Sequence, residues 1–565
     1  MNQEINELYD YIIIGGGITG CVVASRLHAK SPHLSILVLE AGQDAIDHPL
    51  TQAPLSCFGV HRSDLDWAYS TVPQKHLNNR ECYQAAAKAL GGGSAINYGT
   101  WTRGPKVDYD RWGSIVGDAG WSYDAGFLPY FKEMETAHLS PNVSEGIAHQ
   151  QHGFDGPIHT FSITARLSDS GREYPLKESI QSAWIDAGIQ HVPDINGGQP
   201  QGLCEIVENF HDAKRQFAHR VFDVSGVAIR TSTLVTRILI ENDDNGHRAA
   251  RGVEILDGSR IHARKEIVIT CGPYRTPQLL LLSGVGPADE LQRHGIPQVV
   301  QNPEVGRHFH DHLGVPLIWK LRDATLALPI PTLVSDPDFA KGLPFDWIVL
   351  DGFPPEKLRE ALAKANGGAT VEKHLLDPGC CFTETLNVYA PAGAQTTGIE
   401  VPIDGMYLSS PVVGMLPTSQ GRISLSSADP GAPPCVDPNY LDTELDRAVL
   451  RAGVRKVLYI YLETEALKGI IEREVPPEGY PPLRFDSTDE EIDARIRRVA
   501  ITFCHGAGSM AMGKAVDTEL RVFGVEGLRV ADTSILPTPV AAHYQACAYA
   551  IAMKAADLIS ESNSN

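Results

Sequence analysis

The sequence contains no apolar run near the ~18 residues that a membrane-spanning helix needs. Its first residues, Met1 to Leu8, lack the basic region and apolar core of a secretory signal. Ser560–Asn565 carries no peroxisomal or lipidation tail. These absences lead us to expect a cytoplasmic chain. Positive charge is scarce: 48 Lys and Arg face 69 Asp and Glu, a formal charge of −21. That balance argues against nucleic acid or an anionic membrane as a partner. The ten cysteines form no C-x-x-C pair. The adjacent Cys380-Cys381 pair therefore reads as free thiols, not as a redox or zinc site. One sequon, Asn142-Val143-Ser144, means little without secretion. No internal repeat and no long low-complexity segment is found.

What is present begins with Tyr9-Asp10-Tyr11-Ile12-Ile13-Ile14, a short apolar strand pattern. Gly15-Gly16-Gly17-Ile18-Thr19-Gly20 follows, then a helix with Val22, Val23 and Leu27 on its apolar face. A second strand, Ile36–Leu39, ends at Glu40-Ala41-Gly42. This is the unit that holds the adenosine diphosphate half of a dinucleotide. Gly15 permits the tight turn, Gly17 lets the backbone approach the pyrophosphate, and Gly20 lets helix and sheet pack closely. The phosphates sit over the positive end of the helix. Glu40 is placed to accept both ribose hydroxyls.

The 565-residue chain is long enough for at least two domains. Helical spacing of Ile180, Ala183 and Trp184 marks an amphipathic segment within 166–214. Strands are expected at Val227–Thr231, Val235–Ile240 and Glu266–Thr270, the last in the same sheet as the first strand. Residues 319–496 are richer in proline and glycine. There Pro355–Lys364 reads as a helix, and Arg422–Ser426 as a half-buried antiparallel strand. The apolar, glycine-rich texture returns after 497 and ends in a helix over Ala546–Ile559. The nucleotide domain is thus expected from 1–165, 215–318 and 497–565. A second, substrate-facing domain is expected from 166–214 and 319–496. The fold class is α/β with a Rossmann-like domain, plus an α+β domain with an antiparallel sheet.

Two long segments then carry a resemblance. Ala87-Lys88-Ala89-Leu90-Gly91-Gly92-Gly93-Ser94-Ala95-Ile96-Asn97, followed by Trp101, Arg103-Gly104 and Asp110, is the first. Gly272-Pro273-Tyr274-Arg275-Thr276-Pro277-Gln278-Leu279 to Gly286 is the second. Asp66-Trp67, Val305-Gly306 with Asp311-His312, Pro438–Leu441 and Gly527–Asp532 add shorter matches. Over nearly its whole length the chain resembles the glucose-methanol-choline (GMC) oxidoreductases. The resemblance implies FAD. The glycine motif and Glu40 alone fit either FAD or NAD. It implies a cofactor-binding set of Gly15, Gly17, Ile18, Thr19, Gly20, Glu40, Ala41, Trp67, Leu90, Gly92, Ser94, Asn97, Tyr98, Gly99, Thr100, Val235, Gly272, Ala531, Asp532, Tyr544 and Gln545. Some relatives bond the flavin through a histidine in the Gly91–Thr100 loop. Ile96 stands at that position, so a dissociable, non-covalent FAD is expected.

The resemblance also implies the active-site pair His505 and His543, separated by 38 positions. Without it, two histidines so spaced have no intrinsic geometry. Alcohol oxidation removes a hydride to flavin and a proton to a base. Imidazole suits the second task, with an unperturbed pKa of about 6.5. His505 is assigned as base and His543 as hydrogen-bond donor to the developing alkoxide. The two roles could be shared or swapped. Cys504 replaces the aromatic residue common in relatives, leaving room for a bulkier substrate. Tyr98 and Phe503 are candidate pocket walls beside it.

The run His308-Phe309-His310-Asp311-His312 has the look of a metal site. No fourth ligand is evident, however, and no metal is expected. The expected activity is oxidation of a primary or secondary alcohol of a small molecule, an aromatic or polyketide-like metabolite being the candidate. Oxygen or another acceptor would reoxidise the flavin. An FAD-retaining lyase or cyclase with no net redox change is the alternative.

Overall fold

The computed structural model describes residues 7–165, 172–242, 246–326, 337–364 and 374–562. At its centre lies a sheet with strand order Ala228–Arg230, Ile36–Leu39, Glu7–Ile14, Arg260–Ile269, Arg248–Ile255, Val235–Asn242. Leu528–Val530 adds to the far end of Arg260–Ile269 in parallel. The first four strands also run parallel to one another. The last two return antiparallel. Parallel strands are covered on both faces, which explains unbroken runs such as Ile12-Ile13-Ile14, all buried. Helix Ile18–Lys30 covers one face and packs along the C-terminal helix Gln545–Ser562.

The turn between the first strand and its helix depends on glycine. Gly15 has φ +102°, and a Cβ there would lie 2.5 Å from the Thr270 carbonyl oxygen. A Cβ on Gly20 would lie 2.0 Å from the Gly15 carbonyl oxygen. Any larger residue at either position would push the helix off the sheet.

A second sheet is antiparallel throughout. Its order is Ile471–Glu474, Ile318–Leu321, Tyr407–Ser409, Thr383–Val388, Val412–Gly414, Leu313–Val315, Ile501–Thr502. Phe345–Asp351 pairs on Thr383–Val388 and links it to Gly202–Glu205. Helix Glu444–Glu463 lays Leu450, Val454, Val457 and Leu458 against it, with Trp319, Leu408 and Val412 in the same core. The strand expected near Arg422–Ser426 is Gly421–Ser424. It belongs to a separate small sheet with Arg307–Phe309 and Cys435–Asp437. The other sequence-based elements lie close to their expected places. Helices occupy Lys177–Asp186 and Pro355–Lys364. Among the described residues no helix is long and apolar enough to cross a membrane.

Candidate active site

A cavity of about 990 Å³ runs from the glycine turn of the first sheet to the edge of the second. At one end its walls are Gly15, Gly17, Ile18, Thr19, Glu40, Ala41 and Val235, with Gly272 and Asp532 beside them. At the other end are Phe503, Cys504, His505, His543, Tyr544 and Gln545. Trp67 and the loop Asn97-Tyr98-Gly99-Thr100 line it between. Five residues of the expected cofactor set are not on this wall. Gly20 packs under Gly15, and the Leu90 side chain rests against Gly16. Gly92 (φ +54°) presses its backbone on Gly17. Ser94 spends its hydroxyl on the Gly91 carbonyl and the Ala218 amide, at 2.6 and 2.9 Å. Ala531 is buried where its amide pairs with the Ile269 carbonyl. These residues shape the wall from behind.

Glu40 accepts from the Gly16 and Gly42 amides at 2.8 and 2.7 Å. Burial pushes its carboxyl up to about 7. Asp532 accepts from the Gly272 amide at 2.9 Å and the Thr276 hydroxyl at 2.6 Å. It thereby pins the start of helix Gly272–Leu282. Asn97 donates to Gln545 Oε1 at 3.0 Å, and Gln545 Nε2 donates to the Thr100 carbonyl at 2.6 Å. The loop is thus stitched to the first residue of the C-terminal helix. Arg215, which sequence reasoning missed, donates to Asn97 Oδ1 at 2.7 Å from a buried position.

His505 and His543 meet from two separate segments. Strand Ile501–Thr502 pairs with Leu313–Gly314 and delivers the chain to Cys504, which turns it with φ +61°. A non-glycine residue in that region is uncommon. The turn is held by Cys504 N donating to Thr502 Oγ1 at 2.8 Å and His505 N donating to Asp311 Oδ1 at 2.9 Å. Asp311 is itself buried and takes the hydroxyl protons of Thr502 and Tyr440. Burial pushes its carboxyl up to about 6. His543 comes just before helix Gln545–Ser562, its amide held by Thr102 Oγ1 at 2.8 Å. The two rings lie nearly perpendicular, their centroids 4.8 Å apart.

Two partners of this pair were not assigned to it from the sequence. His543 Nε2 lies 2.8 Å from Oε1 of Glu384, a fully buried carboxylate on strand Thr383–Val388. His505 Nδ1 lies 2.9 Å from Nδ1 of buried His312, whose Nε2 is 3.2 Å from the Tyr544 hydroxyl. The histidine-rich run is therefore split by the fold. His308 pairs with Glu304 at 2.6 Å, His310 turns to the His308 carbonyl, and His312 serves His505. Burial, with His543 and His312 close by, holds His505 well below its ordinary value. His312 is lowered in the same way, first by burial. The accessible surface of Cys504 belongs to the cavity wall. There enclosure, with Asp311 and Asp66 nearby, pushes its thiol up to about 12. At neutral pH it is a thiol and not a thiolate nucleophile.

The GMC oxidoreductase family profile matches residues 9–314 in its N-terminal part and residues 417–552 in its C-terminal part. The chain is a GMC oxidoreductase. It is 38% identical to the GMC-type oxidoreductase acuG of Aspergillus aculeatus, over 98% of this chain and 99% of that one. It is 32% identical to an alcohol dehydrogenase (acceptor) of Pseudomonas putida, over 98% and 96%. Among solved structures, formate oxidase of Aspergillus oryzae RIB40 superposes with a TM-score of 0.86 at 27% identity, over 99% of each chain. This GMC protein is thus an FAD-dependent oxidoreductase acting on a small molecule, with oxygen or another electron acceptor. The expectation of a dissociable, non-covalent FAD does not stand. Two of the formate oxidase structures concern mutational effects on FAD modification. Cofactor modification therefore occurs within this fold, and Ile96 does not assign the state of the flavin.

Proposed function

We propose that this GMC oxidoreductase oxidises a primary or secondary alcohol, with His505 as the base and His543 as the group that stabilises the alkoxide. The observation that carries the reading is the contrast between two imidazoles 4.8 Å apart. His505 is buried among imidazoles and resists a positive charge, so it rests in the proton-accepting form. His543 is backed by a buried carboxylate at 2.8 Å, which orients its Nε2–H and fixes the ring beside the base. Two imidazoles side by side with different partners divide the work of base and hydrogen-bond donor.

FAD, when bound along this cavity, supplies the two-electron acceptor. The Gly15–Gly17 turn and Glu40 would hold its adenosine half, and the Asn97–Thr100 loop would flank the rest. The protein handles the proton. His505 donates from Nδ1 to His312 Nδ1, which leaves His505 Nε2 to take the hydroxyl proton. His543 Nε2–H stays on Glu384, and a proton on its other nitrogen would face the developing negative charge. The named relative that acts as an alcohol dehydrogenase supports the substrate class. Cys504, held as a thiol, adds no nucleophile that would favour lyase or cyclase chemistry. The test is to mix flavin-loaded protein with alcohols under argon. Loss of flavin absorbance is expected with a substrate. Turnover of a substrate with unchanged colour would refute oxidation.

A further inference from the structure

Lining the same cavity is a second polar chain that the proposed mechanism does not use. It starts at Asp66. Asp66 Oδ1 accepts from the Ala68 and Ala86 amides at 2.9 and 3.0 Å. Its Oδ2 accepts from the Arg62 amide at 2.8 Å and from the Tyr83 hydroxyl. Four donors on one carboxyl leave it no room for a proton, so Asp66 is an acceptor only. The Tyr83 proton is thereby committed to Asp66. Tyr83 Oη can then only accept from His61 Nδ1, 3.1 Å away. A neutral imidazole with Nδ1 protonated has a bare Nε2. Burial lowers His61 below its ordinary value and keeps it neutral. His61 Nε2 lies 2.5 Å from the Tyr98 hydroxyl and accepts its hydrogen bond. Every donor direction follows from the one carboxylate.

Tyr98, His61 and Tyr83 all line the cavity. The Tyr98 oxygen thus keeps free lone pairs and has no proton to give. Its surroundings are apolar: the Phe58 ring meets Tyr98 edge-on at 5.5 Å. Phe503 stands 6.1 and 6.2 Å from the two histidine rings. Cys504, adjacent to His505, is within electrostatic reach of both Tyr83 and Tyr98. A ligand reaching from the histidines to Tyr98 would cross this apolar stretch.

We propose that the Tyr98 oxygen, its proton committed to His61, is a specificity-determining acceptor. It selects alcohols with an apolar body and a second hydrogen-bond donor, a phenol or a further hydroxyl, away from the oxidised carbon. This rests on the alcohol-oxidation reading of the same cavity. A site that hydrogen-bonds a hydroxyl discriminates against an analogue lacking it, because its own polar atom is left unpaired.

The experiment uses hydroxybenzyl alcohols and their fluorobenzyl counterparts, substituted at each ring position. Fluorine is close to hydroxyl in size but donates nothing. Anaerobic stopped-flow separates the substrate dissociation constant from the flavin reduction rate. The best hydroxy isomer should bind at least about tenfold tighter than its fluoro partner. Tyr98→Phe should bring that ratio to within about twofold. His61→Leu, which frees the Tyr98 proton to donate, should raise methoxybenzyl alcohol relative to hydroxybenzyl alcohol. A merely structural His61 would weaken both alike. Hydroxy- and fluorobenzamides, which cannot be oxidised, are titrated in parallel by perturbation of the flavin spectrum. A donor preference among the benzamides with no reduction by any alcohol would sink the oxidation reading and leave the acceptor assignment. Equal binding within the pairs, or a ratio that survives Tyr98→Phe, would overturn the assignment. Should Tyr98→Phe fail to take up flavin, the wild-type ratios and His61→Leu decide.

Discussion

Nε2 of His543 sits 2.8 Å from Oε1 of Glu384, and the carboxylate has no access to solvent. Its other oxygen, Oε2, is also buried. A buried carboxylate has few ways to offset its lost hydration, and an imidazole proton is the one provided here. Glu384 is thus a positioning residue that orients the His543 ring and holds its Nε2–H. Glu384→Gln keeps the shape and removes the charge. Flavin reduction should slow by about tenfold or more, since hydrogen bonds to ionised groups are roughly twice as strong as neutral ones. Substrate dissociation should change far less. Stopped-flow reduction resolves the two, and an unaltered reduction rate would contradict the role.

His505→Ala should retain flavin and slow its reduction by at least ~10²-fold, the usual contribution of a positioned base. Absorbance of the purified protein checks the first point and anaerobic reduction the second. Near-wild-type reduction would remove His505 as the base.

The same ring sets a pH dependence. Burial and neighbouring imidazoles lower His505 well below its ordinary value. Protonation, which would disable the base, therefore requires more acid than for a free imidazole. The acid limb of the reduction rate should lie below about pH 6.5, the unperturbed value. A midpoint above that would be inconsistent with the neutral, buried base.

Glu40→Ala should lower the flavin bound per chain as purified, since the buried carboxylate at the end of Ile36–Leu39 faces the cavity. The ratio of flavin to protein absorbance measures it. An unchanged ratio would contradict a role in holding the ribose.

A stability prediction concerns a different site. Buried His152 bridges Glu135 and Asp194, at 2.8 and 2.9 Å, and Arg103 also pairs with Glu135. His152 is raised despite burial, through its two carboxylate hydrogen bonds. Glu135 and Asp194 are lowered despite burial, Glu135 chiefly by Arg103 and Asp194 by His152. The imidazolium contribution is full below the unfolded histidine value and fades as pH rises through the raised folded one. The carboxylate contributions are full above their unfolded values and fade as pH falls through the lowered ones. The cluster should therefore stabilise most between roughly pH 4.5 and 6.5. His152→Leu should cost about 3–5 kcal/mol there, because two buried carboxylates lose their shared partner. Melting temperatures across pH test this, and a variant deficit that grows above pH 8 would refute it.

Much of the first sheet could be read along the chain. Ile36–Leu39 was expected and found with the same bounds, and helix Pro355–Lys364 likewise. The turn residues Gly15, Gly17 and Gly20 stand where a strand–turn–helix demands them. Arg422–Ser426 was legible as a strand, but its sheet was not, because its partners come from Arg307–Phe309 and Cys435–Asp437. At the site, His505 and His543 were legible through family motifs. Glu384 was not: it lies 159 positions from His543, in a strand whose other residues are simply buried. His312 was visible in a histidine-rich run and in a short family match, but not as a partner of His505, 193 positions away.

Backbone sterics, side-chain periodicity and helix capping act over a few residues. The order of letters was therefore enough for the nucleotide turn and the buried parallel strands. Proton direction and charge inside the cavity depend on which side chains touch after segments 37 to 193 residues apart are packed together. Only the folded chain could set His543 on Glu384, His505 on His312 and Tyr98 on His61, because a hydrogen bond is decided by ångströms in space and not by separation in sequence.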